Sequence, residues 1–364
     1  MPNKIMKLTA SQMLEKVLSL NASDLHLSVG ANPMVRVNRR LSPLEEGALL
    51  MVGDIEYFLS QLMEKEQKDL FEVNRELDFS VSLGNKARFR VNAFYQKGYP
   101  SVALRLIPPH PPSLESLNLP KSISNLCELR QGLVMVVGPT GHGKSTTIAA
   151  MIQRINETRS EHVITVEDPI EYIFTNKLSL IEQREMFLDT HSWEISLKSV
   201  LRQDPNVVMI GEMRDTETIS TALQIAETGH LVFTTLHTNS AAQSVDRIIS
   251  SYPEEKRAEV RLQFSQVLEV IVSIRLLPSD SKGMVPAVEL MLASDAIRNL
   301  IREGKTHLID NMIGNSISMG MCPLDRSLAT LVNDGEVDVN EALKFSPRPD
   351  ELRRIIKETK VASK

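Results

Sequence analysis

The stretch Gly138-Pro139-Thr140-Gly141-His142-Gly143-Lys144-Ser145 satisfies G-x-x-x-x-G-K-[ST] at every fixed position. The apolar run 133–137 lies directly before it, and Ile148, Met151, Ile152 and Ile155 follow at the spacing of one helix face. Strand, glycine-rich turn and helix in that order make a cradle for phosphate. The glycines let backbone N–H groups converge on oxygen atoms, and the helix N-terminus adds the positive end of its dipole. Lys144 brings a point charge to the β- and γ-phosphates, and the Ser145 hydroxyl completes the coordination of Mg²⁺. Residues 138–146, ending on Thr146, are therefore expected to line a bound ATP.

His142 inside this loop has two readings. Its imidazole titrates near neutrality and could act as a further donor to phosphate, or the position tolerates any side chain and the ring stands in solvent. Proximity alone does not make an acid or a base, so we take the solvated reading.

Phosphoryl transfer asks for a metal, a positioned water and stabilised charge at the γ-phosphate. Two acidic stretches are placed for this. In Val166-Glu167-Asp168-Pro169-Ile170-Glu171-Tyr172 the chain leaves a strand, turns at Pro169 and offers three carboxylates. In Val207-Val208-Met209-Ile210-Gly211-Glu212-Met213-Arg214-Asp215 an apolar strand ends at Glu212, a charge that needs a partner because desolvation is costly. Glu212 is expected to hold Mg²⁺ through water. Further on, His230 and His237 fall at opposite ends of one expected strand, which argues against a shared metal. His237, at the C-terminal end, is placed to sense the γ-phosphate, although each histidine taken alone reads as a hydrogen-bonded core residue.

Outward from the loop, the apolar runs 163–166, 207–210 and 231–233 alternate with helical stretches, the grammar of a mostly parallel sheet. Beyond about residue 295 helical spacing dominates. Four prolines crowd Ile107-Pro108-Pro109-His110-Pro111-Pro112-Ser113, which reads as a semi-rigid extended linker. Ahead of it, a helical stripe at Met13, Leu14, Val17 and Leu18 joins alternating segments at 24–27, 35–37 and 88–94, an α+β module of antiparallel strands.

Composition narrows the function classes. The 364 residues carry 41 basic and 46 acidic side chains, a net charge of −5 that argues against a whole-molecule nucleic-acid binder. Two cysteines, Cys127 and Cys322, form no Cys-x-x-Cys pair and suit a reducing compartment. No apolar run approaches the ~20 residues of a membrane span, and the first twenty residues lack the form of a signal peptide. A soluble intracellular protein is expected.

The loop, the acidic box from Thr165 to Tyr172, Gly211-Glu212-Met213-Arg214-Asp215 and the histidine box 228–238 together resemble the secretion and pilus motor ATPases. Within that family the retraction ATPases of type IV pili are most similar, because Ala296-Ile297-Arg298-Asn299-Leu300-Ile301-Arg302-Glu303 looks like the stretch associated with retraction. The resemblance implies an α/β RecA-like P-loop NTPase domain (121–294) with a helical C-terminal region (295–364), preceded by a smaller α+β PAS-like domain (1–106) and the linker (107–120). It implies a homohexamer with ATP between the domains, Glu171 as the base that activates water, Glu212 as the Walker B acid, and Arg90 and Arg105 as arginines reaching the γ-phosphate. From the residues alone, those arginines read as a solvated strand face. The implied partners are an inner-membrane pilus platform protein and a paralogous retraction ATPase, met at the cytoplasmic face of the membrane.

Three rivals remain open. An extension or secretion ATPase would usually carry a four-cysteine zinc insertion, which two cysteines cannot build. An accessory retraction paralogue shares most boxes but fits 296–303 less well. A non-hydrolysing ATP-binding regulatory module is opposed by intact Lys144, Ser145, Glu171 and Glu212. Two departures from the family pattern stand out: His142, where relatives usually carry a small residue, and Cys322-Pro323 in the run 320–325. If 296–303 is the retraction stretch the resemblance implies, altering Arg298 or Ile301 should spare bulk folding yet weaken pilus retraction.

Overall fold

The computed structural model describes residues 9–362, apart from 38–39, 45–46, 48, 85, 108–109 and 280. The chain divides into two compact units, residues 1–110 with 171–173 and residues 111–170 with 174–364. The start of the N-terminal segment and Pro108-Pro109 of the linker lie outside the described residues. Among those described, no helix is long and apolar enough to cross a membrane.

The first unit contains β1 (Asp24–Ser28), β2 (Met34–Val37), β3 (Arg40–Pro43), β4 (Glu76–Leu83), β5 (Ala87–Gln96) and β6 (Tyr99–Ile107). They form an antiparallel sheet in the order β3-β2-β1-β6-β5-β4. Alternate residues face opposite ways in a strand, so Leu25, Leu27, Val35, Phe89, Val91 and Leu104 turn together into a core with Met13, Leu14, Val17 and Phe58 of the helices. Pairing also lines up Arg36, Asp24, Arg105, Arg90 and Ser80 across five strands. Arg105 Nε donates to Asp24 Oδ1 at 2.9 Å, and Arg36 Nε lies 3.3 Å from Asp24 Oδ2. Arg105 lies on a solvated face, as its side chain reads, and its exposed guanidinium is also tied to the buried Asp24 carboxylate.

The second unit contains β7 (Gly132–Val137), β8 (His162–Glu167), β9 (Leu180–Glu185), β10 (Val207–Ile210), β11 (Leu231–Leu236), β12 (Leu268–Ser279) and β13 (Gly283–Leu292). Their order is β13-β12-β7-β11-β10-β8-β9, parallel throughout except for the antiparallel β12–β13 pair. Leu133, Met135 and Val137 enter the core on one face, Val134 and Val136 that on the other. Burial on both faces is why these strands read as unbroken apolar runs. Ile148, Met151, Ile152 and Ile155 of the helix Lys144–Thr158 are fully buried, as the spacing predicts.

The linker is not extended throughout. Leu114–Leu117 forms a 3₁₀ turn whose Ser113 cap accepts from Ser116 N–H, and Leu114 is buried in the core of the second unit. Two leucines three positions apart gain more by packing than proline-driven extension withholds. At the far end, helices Leu324–Asn333, Val339–Phe345 and Pro349–Ala362 follow one another. Leu324, Leu328, Ala342 and Leu352 share a core with Leu277, Val285 and Ala287 of the β12–β13 hairpin. Pro323 caps the helix Leu324–Asn333, and Cys322 pairs with Leu290 through two backbone hydrogen bonds, so this departure from the family pattern is accommodated at a helix start.

Arg298 and Ile301 both carry structural contacts, which bear against the expectation that altering them spares folding. Ile301 is fully buried, while Arg298 Nη1 donates to the carbonyls of Ser265 and Gln266, near the end of the helix Arg257–Val267, and Nη2 bonds Glu269. The helix Asp295–Glu303 presents Ala296, Asn299, Arg302 and Glu303 outward instead.

Candidate functional site

Four parallel neighbours, β7, β11, β10 and β8, end on the same side of the sheet, the edge where open α/β sheets bind ligands. The loop 138–143 leaves β7 there. Gly138 has φ +149°, and a Cβ on it would sit 2.5 Å from the Ile274 carbonyl oxygen, so only glycine lets the loop cross β12 so closely. Gly143, at φ +85°, opens the helix Lys144–Thr158, whose first turn holds Lys144 and the half-buried Ser145.

Lys144 is buried; its Nζ donates to the Pro139 carbonyl at 3.1 Å and lies 3.2 Å from His237 Nδ1. His237 follows β11, and its Nε2 lies 3.1 Å from Glu212 Oε1, just beyond β10. An ammonium only donates, so His237 Nδ1 is the acceptor and Nε2 carries the proton it gives to Glu212. The neutral ring thus joins the loop lysine to the strand-end carboxylate, with Thr140 Oγ1 also 3.2 Å from Nδ1. Exposed by 43% of its side chain, His237 is not the core residue its type suggested. His230 is left out: it precedes β11 and bonds Thr228 and the Ile225 carbonyl, roughly 20 Å from the loop end of the strand at about 3.3 Å per residue.

Glu212 finds the partner its burial demands twice over. Arg214 Nε donates to its Oε2 at 2.9 Å, and Arg214 Nη1 lies 3.8 Å from Asp168 Oδ2 at the end of β8. Arg214 had no role in the sequence reading; its position two residues beyond Glu212 in an extended segment was the available signal. Glu167, by contrast, is a structural carboxylate, buried and held by Thr165 Oγ1 at 2.7 Å and Gln183 Nε2 at 3.1 Å. Glu171 is exposed and partitions with the first unit, as do Arg90 and Arg105. The second unit alone therefore gathers the loop, Glu212 and His237.

His142 does not stand in solvent. It is half-buried, and its Nδ1 accepts the Leu276 N–H at 2.9 Å. Burial, then the nearby charges of Arg275 and Lys144, hold its pKa below the ordinary value, so the ring is neutral and free to accept.

The Ser145 hydroxyl and the Glu212 carboxylate are hard oxygen donors that fit Mg²⁺, an ion that keeps waters and substrate phosphates alongside few protein ligands. No group of three or more His, Cys, Asp or Glu suited to a metal occurs among the described residues.

Comparison with known proteins follows the same lines. The family model for type II/IV secretion system proteins matches residues 2–344. The chain is 45% identical to the twitching motility protein of Neisseria gonorrhoeae over 83% of this chain and 81% of that one. It is 42% identical to the type IV pilus retraction ATPase PilT of Pseudomonas aeruginosa over 90% and 95%. A crystal structure of the pilus retraction motor PilT with bound ADP superposes with a TM-score of 0.89 at 42% identity, covering 96% of this chain and all of that one.

Proposed function

The chain belongs to the type II/IV secretion system protein family, and we propose that within it the protein is a Mg²⁺-dependent ATPase motor that powers retraction of a type IV pilus. The observation that supports this reading best is the line Lys144–His237–Glu212, laid across the carboxyl ends of three adjacent strands. Two of the contacts of Lys144 are with neutral acceptors, and charged phosphate oxygens make stronger hydrogen bonds than these. As Lys144 turns to phosphate, His237 Nδ1 loses a donor while Nε2 remains on Glu212. The histidine so relays occupancy of the loop to the carboxylate. Ser145 and Glu212 would hold Mg²⁺, which neutralises charge on the β- and γ-phosphates. Glu171 is assigned the proton of the attacking water, and Arg90 and Arg105 the charge that develops on the γ-phosphate.

Retraction is the proposed output because one relative is described as a pilus retraction ATPase and another as a twitching motility protein, and because residues 296–303 resemble the stretch associated with retraction. The motor would work as a homohexamer at the cytoplasmic face of the inner membrane, on a pilus platform protein and alongside a paralogous ATPase. The test joins two measurements. Purified protein should release phosphate from Mg·ATP, and a strain lacking it should be hyperpiliated and immobile. A strain that keeps retracting its pili, or a folded protein that never takes up ATP, overturns the proposal.

A further inference from the structure

The phosphate loop makes a second attachment, on the side away from Glu212. His142 Nδ1 accepts the Leu276 N–H at 2.9 Å, and its ring meets that of Phe345 in a T-shaped arrangement with centroids 6.3 Å apart. Leu276 lies in β12, one residue after Arg275, whose Nη2 donates to the Asn239 carbonyl just past His237. Phe345 ends the helix Val339–Phe345 in the C-terminal core. Beside the ring pair lies a cavity of about 400 Å³, lined among others by Pro139 and His142 of the loop and by Phe345, Ser346 and Arg348.

We propose that His142 is a positioning residue: it pins the crown of the phosphate loop to β12 and to Phe345, so that nucleotide in the loop is felt by the C-terminal helices. This rests on the loop binding ATP, and it gives a reason for an imidazole where the motif accepts any side chain. A neutral ring suits the task. Nδ1 can accept only while unprotonated, and burial, then the nearby Arg275 and Lys144, favour that form. No phosphate contact by the imidazole is required.

Three variants, each checked for folding by thermal melt, test this. His142→Ser removes both ties and should raise the KM for ATP by about 2- to 10-fold, the range for one net hydrogen bond, with a smaller change in kcat. His142→Asn places an amide oxygen where Nδ1 stands and should bring KM back towards wild type. Phe345→Leu keeps the loop tie, so KM should move less than in His142→Ser, while ATP should slow hydrogen exchange across residues 339–345 less than it is expected to in wild type. An unchanged KM in His142→Ser, an Asn variant no better than Ser, or wild-type exchange at 339–345 indifferent to ATP each overturns the proposal. Wild-type protein that fails to hydrolyse ATP overturns the ATPase reading and this one with it. Active wild type with an unmoved KM sinks this one alone.

Discussion

The nucleotide loop of the second unit and the arginine row of the first are both charged constellations, and they are assembled in opposite ways. The loop is continuous in sequence, and a single strand–turn–helix delivers Gly138, Lys144 and Ser145 to one place. The row is built by register: Arg36, Asp24, Arg105, Arg90 and Ser80 come from five strands, and Asp24 and Arg105 are 81 positions apart. A local motif survives reading one residue after another. A cross-strand row exists only once pairing is fixed, and a one-residue slip would turn its members to the other face.

The largest effect should come from the chemistry the local stretches carry. Glu171→Gln is expected to leave ATP binding intact while cutting turnover by on the order of 10²–10⁴, the usual general-base contribution. Single-turnover hydrolysis checks it; a rate within a few-fold of wild type would return Glu171 to a surface role and weaken the claim that the motif-bearing stretches hold the whole reaction.

The same contrast divides the helix Asp295–Glu303. Ile301→Ala should cost about 2–5 kcal/mol in denaturant unfolding, as for a buried isoleucine. Arg302→Ala, on the outward face, should stay within about 0.5 kcal/mol. If retraction fails in the Arg302 variant, the outer face is what a partner reads; if only Ile301→Ala fails, the stretch matters through folding.

Two buried carboxylates, one from each unit, sharpen the comparison through opposite responses to pH. Burial pushes Glu289 up to about 7 against a hydrogen bond from Ala241 N–H, with Asp310 and Asp325 adding to the rise and Arg275 opposing it. The unfolded chain ionises first, so this group makes the protein less stable as pH climbs from its ordinary 4.5 towards 7, after which the loss is constant. Glu289→Gln should remove a slope on the order of 1–3 kcal/mol from urea titrations at successive pH values. Asp24 is also raised by burial, but hydrogen bonds from Ser23 and Arg105 and the charges of Arg105 and Arg36 outweigh that and hold it below 3.8. Its stabilisation is complete above the ordinary value and fades as pH falls through the lowered one. Asp24→Asn should therefore cost about 1–3 kcal/mol at neutral pH and progressively less in acid. A penalty independent of pH would mean the row holds by packing, without its charge.

Much of the second unit was legible because its strands are apolar on both faces and its turns are spelled by glycine, as at 132–138. Glu212 was legible through its need for a partner; Arg214, two residues on, could have been read as one, but His237 meets it only after β10 and β11 are laid side by side. His142 misled for the same reason. Nothing near it in sequence announces Leu276, 134 positions on, whose amide occupies it. Arg298 also hid its work, because a basic residue on an amphipathic stripe looks solvated until the carbonyls of Ser265 and Gln266 are found beneath it.

β12 pairs with β7 only as far as Ser273, while its pairing with β13 continues to Ser279. Residues 274–279 thus overhang the central sheet like a ledge. The glycine that begins the loop leans on it at Ile274, and the hydrophobic core of the last helices is fixed to its far side. Sequence drift within those helices can then retune how tightly the protein grips its fuel without altering any residue that touches it, simply by tilting the shelf.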